Sequence, residues 1–317
     1  MALLVHEADV EKVLDMPSAL RAIERAFVEL GHGRATNQPR IRIHQKHGAL
    51  NVMSAALPAM GVVGFKAYTW YTTGSKFIVH LYRSETGELL AIIEADRMGQ
   101  IRTGAASGVA TKFMARDDSK VAGVIGTGYQ AESQLLAMCH VRKIDRVMAY
   151  SRGSEKCKAF CRKMEGQLKI EVRPMNSGTA VVEASDIVIT ATSAGEPLFD
   201  GDAVEPGAHL NIIGGNALIR SEIDSTTVQR AQRIAADSVA QAHLEAGEFL
   251  EPIERGLLAW EKIVELGSVV AGLVKGRESA EDITLFKSMG IALEDIAVGA
   301  VVYERALQEH LGEKIQI

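Results

Sequence analysis

At 317 residues the chain is long for one hydrophobic core, so two domains are expected. Its 47% apolar and 24% charged residues are those of a soluble globular protein, and a net charge of -5 without a basic block argues against a nucleic-acid partner. No apolar run approaches the ~20 residues a membrane span needs, no targeting peptide is evident, and Cys139, Cys157 and Cys161 form neither a disulfide framework nor a paired zinc spacing. A cytoplasmic location, no membrane and no metal follow as expectations.

Residues 1–35 read as helical, with Ser18 placed to cap a helix whose Leu20, Ile23, Phe27 and Leu30 recur at helical spacing and which Gly31 and Gly33 end. Strands are predicted at 40–45, 49–55, 62–69, 76–82 and 89–95, the first two joined by a Lys46-His47-Gly48 hairpin turn. Strands this frequent without helices imply an antiparallel or mixed sheet. Residues 97–115 predict a helix rich in small residues. From Lys120 onward strands (120–125, 145–150, 170–173, 186–191, 208–213, 232–236) alternate with helices (near 129–140, 154–165, 177–184, 224–231, 238–246). That alternation predicts an α/β fold with a doubly wound parallel sheet. One more strand is expected at 283–286 and a last helix at 291–309, returning to the first domain.

The stretch VAGVIGTGYQA at 121–131 carries the G-x-G-x-x-A spacing of a dinucleotide-binding turn in Gly126, Gly128 and Ala131. Gly126 permits the tight reversal, Gly128 lets a pyrophosphate approach the backbone, and the helix start offers free N–H groups. The second strand of this fold ends at Tyr150-Ser151-Arg152, without the acidic residue that bonds a ribose 2′-OH, which favours NADP and leaves NAD open. Small and hydroxyl residues at later strand ends, in TATS (190–193) and IGGN (213–216), suit a cofactor crossing the sheet. Lys66 stands in the apolar strand VVGFKAY, where a desolvated lysine can orient an anion or move a proton; the competing reading is a solvent-facing edge residue. Arg40 and Arg42 are two apart in a strand and share a face, and an arginine fork suits a carboxylate. Arg102 could meet the same group. Asp224 reads equally as a helix cap or a catalytic acid.

Together GFKAY, IRTGAASGVATKFMA, VIGTGYQA, TATS, SEID and FKSMGIALEDIAVGAVVYERA resemble the ornithine cyclodeaminase and mu-crystallin family over nearly the whole chain. The resemblance implies a homodimer, a substrate-binding and dimerisation domain of 1–115 with 285–317, and a Rossmann domain of 116–284. It implies an NAD(P)-dependent enzyme moving hydride to or from the α-carbon of a small amino or imino acid, either a cyclic ketimine such as pyrroline-2-carboxylate or alanine and pyruvate. The alternatives are ornithine cyclodeamination or NADPH binding with little turnover. By motif, Lys66 and Arg102 hold the substrate carboxylate with Arg40 or Arg42, and Asp224 joins Lys66 as a catalytic group. The expected cofactor contacts are Thr103, Gly126, Thr127, Gly128, Tyr129, Gln130, Ser151, Arg152, Ala191, Thr192, Ser193, Gly214, Ser288, Met289 and Gly290. Two departures weaken the ornithine reading: Met53 stands where the cyclodeaminases carry a glutamate, and Ser151-Arg152 where they carry an acid.

Overall fold

The computed structural model describes residues 1–316. In chain order the elements are β1 (Ala2–Val5), α1 (Glu7–Val13), α2 (Met16–Gly31), β2 (Thr36–Asn37), β3 (Ile41–Gln45), β4 (Gly48–Leu57), β5 (Val62–Tyr71), β6 (Gly74–Arg83), β7 (Leu89–Glu94) and α3 (Asp96–Met114). They continue as β8 (Val121–Ile125), α4 (Tyr129–Val141), β9 (Arg146–Tyr150), α5 (Ser154–Leu168), β10 (Glu171–Pro174), α6 (Gly178–Glu183), β11 (Ile187–Thr190), β12 (His209–Ile212), α7 (Ser225–Arg230) and β13 (Arg233–Ala236). The last are α8 (Val239–Glu245), α9 (Leu250–Glu254), β14 (Ile263–Glu265), α10 (Leu266–Val270), β15 (Thr284–Lys287), α11 (Ala292–Gln308) and β16 (Glu313–Ile315). The chain divides into two compact units, Met1–Ala105 with Gly290–Ile317, and Ala106–Met289. The first division falls inside α3 rather than at its end, because Thr111 already bonds Asn211 of β12. The second follows β15, which pairs with β12 and β13.

The first unit is a mixed sheet in the order β16-β1-β7-β6-β5-β4-β2, with β3 also on β4. Its β3–β7 run is antiparallel, as strand frequency implied; β1 pairs parallel with β7 and antiparallel with β16. The extreme N-terminus is therefore a strand and not helical. Its partners lie some ninety and three hundred residues away, at Ala91–Ile93 and Glu313–Ile315, so no local pattern announces it. Helix α2 starts earlier than the Ser18 cap would place it. Asp15 is the N-cap, accepting from Ser18 N–H at 2.7 Å and Ser18 Oγ at 2.6 Å, and Pro17 sits in the first turn where no N–H is needed. Met53, Lys66, Val79 and Ile93 lie opposite one another across β4–β7 and are buried. Helix α11 packs on β4, β5 and β6, and its Gly299 faces the side chains of Ile93 and Val79.

In the second unit every strand pair is parallel, in the order β10-β9-β8-β11-β12-β15-β13-β14. The doubly wound sheet is as predicted, extended by β14. The order reverses at β8, so ligands belong at the carboxyl ends of β8 and its neighbours. The core beneath is Ile125, Val188, Leu210, Ile212, Leu285 and Phe249, all fully buried or nearly so. The strand residues of this cluster share one face of the sheet, and their burial stabilises it at roughly 25 cal/mol per Å² removed from water.

His209 opens β12 inside this core, its Nδ1 2.8 Å from Thr284 Oγ1 on the adjoining strand. Burial, reinforced by the Arg277 charge, pushes its pKa down from 6.5 to about 3. The unfolded chain takes up that proton near 6.5 and the folded chain does not. The stabilising contribution is complete above pH 6.5 and is lost as pH falls toward 3, at about 1.4 kcal/mol per pH unit. Urea titrations between pH 7 and 4 are expected to show this slope. His209→Asn should flatten it, and an unchanged slope in that variant would place the acid sensitivity elsewhere.

Candidate active site

The first unit gathers Arg40, Lys66 and Arg102, which are 8%, 3% and 8% exposed. Lys66 reaches inward because burial alternates over the first half of β5, 62–67, and position 66 falls on the face under α11. The solvent-facing alternative for Lys66 is thereby excluded. Its Nζ lies 2.9 Å from Asp295 Oδ1 and 5.8 and 5.3 Å from the ring centres of Tyr68 and Phe77. Arg102 donates from Nε to Asp295 Oδ1 at 3.1 Å and from Nη1 to Glu294 Oε2 at 2.5 Å. Arg40 donates from Nη2 to the Gly290 carbonyl at 2.7 Å, with its Nε 3.4 Å from Met53 Sδ. Gly290 is held at φ +71, and a Cβ there would stand 2.8 Å from the Arg102 guanidinium, so only glycine fits. Of the two hairpin arginines it is Arg40 that joins the cluster. Arg42 lies one row along the same face, opposite Asn51.

Three cations so close favour an anion. Burial, the largest cause, lowers the Lys66 pKa; Asp295 opposes the fall, and Arg102 and Arg40 add to it. Asp295 and Glu294 are the residues that sequence reasoning missed. They sit in the first turn of α11, where the helix dipole favours negative charge.

The second unit holds a cleft of about 1240 Å³ at the carboxyl ends of β8, β9 and β11, lined among others by Gly126, Thr127, Gly128, Ser151, Arg152, Ala191, Thr192 and Ser193. Gly126 has φ +101, and a Cβ on it would lie 2.4 Å from the Ala191 carbonyl, which accounts for the glycine. At Gly128 a Cβ would meet nothing within 4 Å: the room belongs to the cleft. Helix α4 has Gly128 as its N-cap with no side-chain cap, so the positive end of its dipole stands at the glycine turn, where a phosphate is favoured. These features fit a dinucleotide. Thr127 Oγ1 and Ser151 Oγ are 2.8 Å apart, tying the glycine turn to the end of β9. Arg152, Glu155 and Lys156 line the cleft beside them, and Glu155 is paired with Lys158 at 2.9 Å.

The remaining expected contacts do not line this cleft. Tyr129 and Gln130 begin α4 just beyond it. Thr103 belongs to the first unit, where its Oγ1 bonds the Gly99 carbonyl. Ser288 and Met289 follow β15 and are fixed by Asp237 Oδ2, at 3.2 Å from Ser288 Oγ and 2.7 Å from Met289 N. Gly214 is held by Glu222 at 2.7 Å. Asp224 is the N-cap of α7: Oδ1 accepts from Thr227 N–H and Thr227 Oγ1, each at 2.7 Å, and Oδ2 from Gly201 N–H at 2.9 Å. Asp224 therefore caps α7, with three donors on its carboxylate.

A Rossmann-type nucleotide unit joined to an α+β unit with a buried cationic pocket defines a two-unit nucleotide-binding protein. The model of the ornithine cyclodeaminase/mu-crystallin family matches residues 1–310, and the chain belongs to this family, in agreement with its motifs. It is 34% identical over 323 residues to the alanine dehydrogenase of Archaeoglobus fulgidus, covering 99% of this chain and 98% of that one. The structure of Thermococcus litoralis Delta(1)-pyrroline-2-carboxylate reductase in complex with NADH and L-proline superposes with a TM-score of 0.93 at 36% identity, over 99% of this chain and 100% of the other. An archaeal alanine dehydrogenase dimer with bound NAD gives 0.92 at 33% identity, over 100% and 99%.

Proposed function

We propose that the protein is an NAD(P)-dependent oxidoreductase acting on the α-carbon of a small amino or imino acid. The observation that carries this reading is the buried Arg40–Lys66–Arg102 cluster, in a family whose relatives are named for imino acid reduction and alanine dehydrogenation. The two arginines and Lys66 grip the substrate carboxylate and fix the orientation of its α-carbon. Lys66, with its lowered pKa, gives or takes the proton at the substrate nitrogen. The nicotinamide, when bound, supplies or accepts the hydride. Met53, 1% exposed, stands opposite Lys66 in the sheet and offers a substrate side chain no ionic partner there, so an uncharged or cyclic side chain is favoured over ornithine.

Arg152 and Lys156, with Ser151, favour the 2′-phosphate of NADP over NAD. The test is consumption of NADPH and of NADH with pyrroline-2-carboxylate, piperideine-2-carboxylate, and pyruvate plus ammonia. Oxidation with one of these is expected, with NADPH preferred. Arg152→Ala should raise the NADPH KM about tenfold or more and leave that for NADH unchanged. No oxidation with any of them, together with proline formed from ornithine, would replace this reading by cyclodeamination.

A homodimer is the assembly we favour. Ile41, Val52, Ala67 and Ile78 line up across β3–β6 on the face away from α11, beside the stacked Phe65 and His80 rings, and Ile41 and Ile43 are 64% and 51% exposed. Such an apolar sheet face marks an association surface. Sedimentation at twice 34.2 kDa is expected; a monomeric mass would remove the proposal.

A further inference from the structure

Glu222 makes none of the contacts assigned to substrate or cofactor, yet it is fully buried and uses both carboxylate oxygens. Oε1 accepts from Thr192 N–H at 2.8 Å and Thr192 Oγ1 at 2.6 Å. Oε2 accepts from Thr190 Oγ1 and from Gly214 N–H, each at 2.7 Å. Its backbone carbonyl accepts from Leu198 N–H at 2.9 Å. One residue therefore holds both ends of the segment 191–198, a wall of the dinucleotide cleft, and joins it to the turn after β12. A Cβ on Gly214 would come within 2.1 Å of the Thr192 carbonyl, so the two strand ends are already in contact. From the other side Lys287 Nζ donates to the Gly215 carbonyl at 2.6 Å and to Glu248 Oε1 at 2.9 Å, and Lys287 and Glu248 are fully buried. The turn is pinned by charged groups above and below.

In a doubly wound sheet the two mononucleotide halves of the ligand lie on opposite sides of the strand where the order reverses. Here β8 is that strand. The β9 side, with Ser151 and Arg152, takes the adenosine ribose, and the β11–β12 side takes the nicotinamide half. We propose that Glu222 is the positioning residue of the nicotinamide half-site: it acts through Thr192, Leu198 and Gly214 without touching the cofactor. The proposal rests on the nicotinamide-dinucleotide reading given above.

The test compares wild type and Glu222→Gln for binding of NADPH, NADH and ADP-ribose by fluorescence and calorimetry, with the melting temperature measured alongside. Glutamine keeps the shape but turns an NH2 group toward donors that need an acceptor. Affinity for the better-bound dinucleotide is expected to fall about 10- to 100-fold, while ADP-ribose, which lacks the nicotinamide, loses much less. Equal losses for the dinucleotide and ADP-ribose, or a lowered melting temperature with unchanged affinities, would overturn the proposal and leave Glu222 a structural residue. Wild type that binds no dinucleotide would instead overturn the functional reading beneath it. Should Glu222→Gln not fold, Thr192→Ala removes one donor and keeps the backbone bond. It should show the same selective loss, smaller in size, and unchanged dinucleotide affinity there would equally refute the role.

Discussion

Lys66→Ala is expected to lower kcat/KM by about 10²–10⁴-fold while leaving dinucleotide affinity unchanged. The side chain is buried, lies 2.9 Å from Asp295, and is the one lysine among the three clustered cations. Its loss removes both a carboxylate contact and the proton-transfer group. The residues of the nucleotide cleft all belong to the other unit, so cofactor binding reads out separately. The fold should survive, because Asp295 keeps Arg102 Nε at 3.1 Å. In the reductive direction the protonated amine is the active form. The wild-type rate should fall as pH rises through a basic limb lying below the ordinary lysine value of 10.5, and that limb should vanish in the variant. Turnover equal to wild type would remove Lys66 from the mechanism.

Arg102→Met carries the largest expected cost to stability. Arg102 bonds both Glu294 and Asp295, which are 1% and 0% exposed. Taking the guanidinium from Glu294 in this buried cluster, where Asp295 still has Lys66 at 2.9 Å, costs about 3–5 kcal/mol. For a protein of this size the melting temperature should fall by roughly 5–8 °C. Substrate KM should also rise, since the carboxylate loses its two-pronged partner. Adding Glu294→Gln separates the effects: part of the lost stability is expected to return and the KM defect to remain. A melting temperature unchanged by Arg102→Met would show that the cluster contributes nothing net to folding.

The regular elements and the glycine turn were legible because their signals are local. Alternating apolar residues mark β4–β7, and the G-x-G-x-x-A spacing marks the β8–α4 turn. Lys66 was legible as a charge in an apolar strand, but its partner was not: Asp295 lies 229 positions away along the chain. A signal did exist. Glu294 and Asp295 are adjacent acids at the head of a helix, ALEDIAVGAVV, that is otherwise apolar on all sides, and acids on so buried a helix must be paired. Read together with the lone lysine of VVGFKAY, they predict the pairing. The strands β1 and β16 had no comparable mark, since three or four residues carry too little periodicity to choose between helix and strand. Asp224 illustrates the converse. A helix cap and a catalytic acid make the same demand on sequence, and the three donors around its carboxylate establish the cap.

Because the first unit is assembled from both ends of the chain, the order of synthesis matters to it. When the ribosome has finished β7, the sheet β3–β7 can form, but α11, which covers it, is nearly two hundred residues from being made. Lys66 has no Asp295 during that interval, and the apolar face of Met53 and Val79 has no cover. The second unit, continuous in sequence from Ala106 to Met289, emerges and closes its own core in the meantime. The nascent chain thus carries an uncovered hydrophobic sheet through most of its translation, the interval in which a holding chaperone has the most to protect.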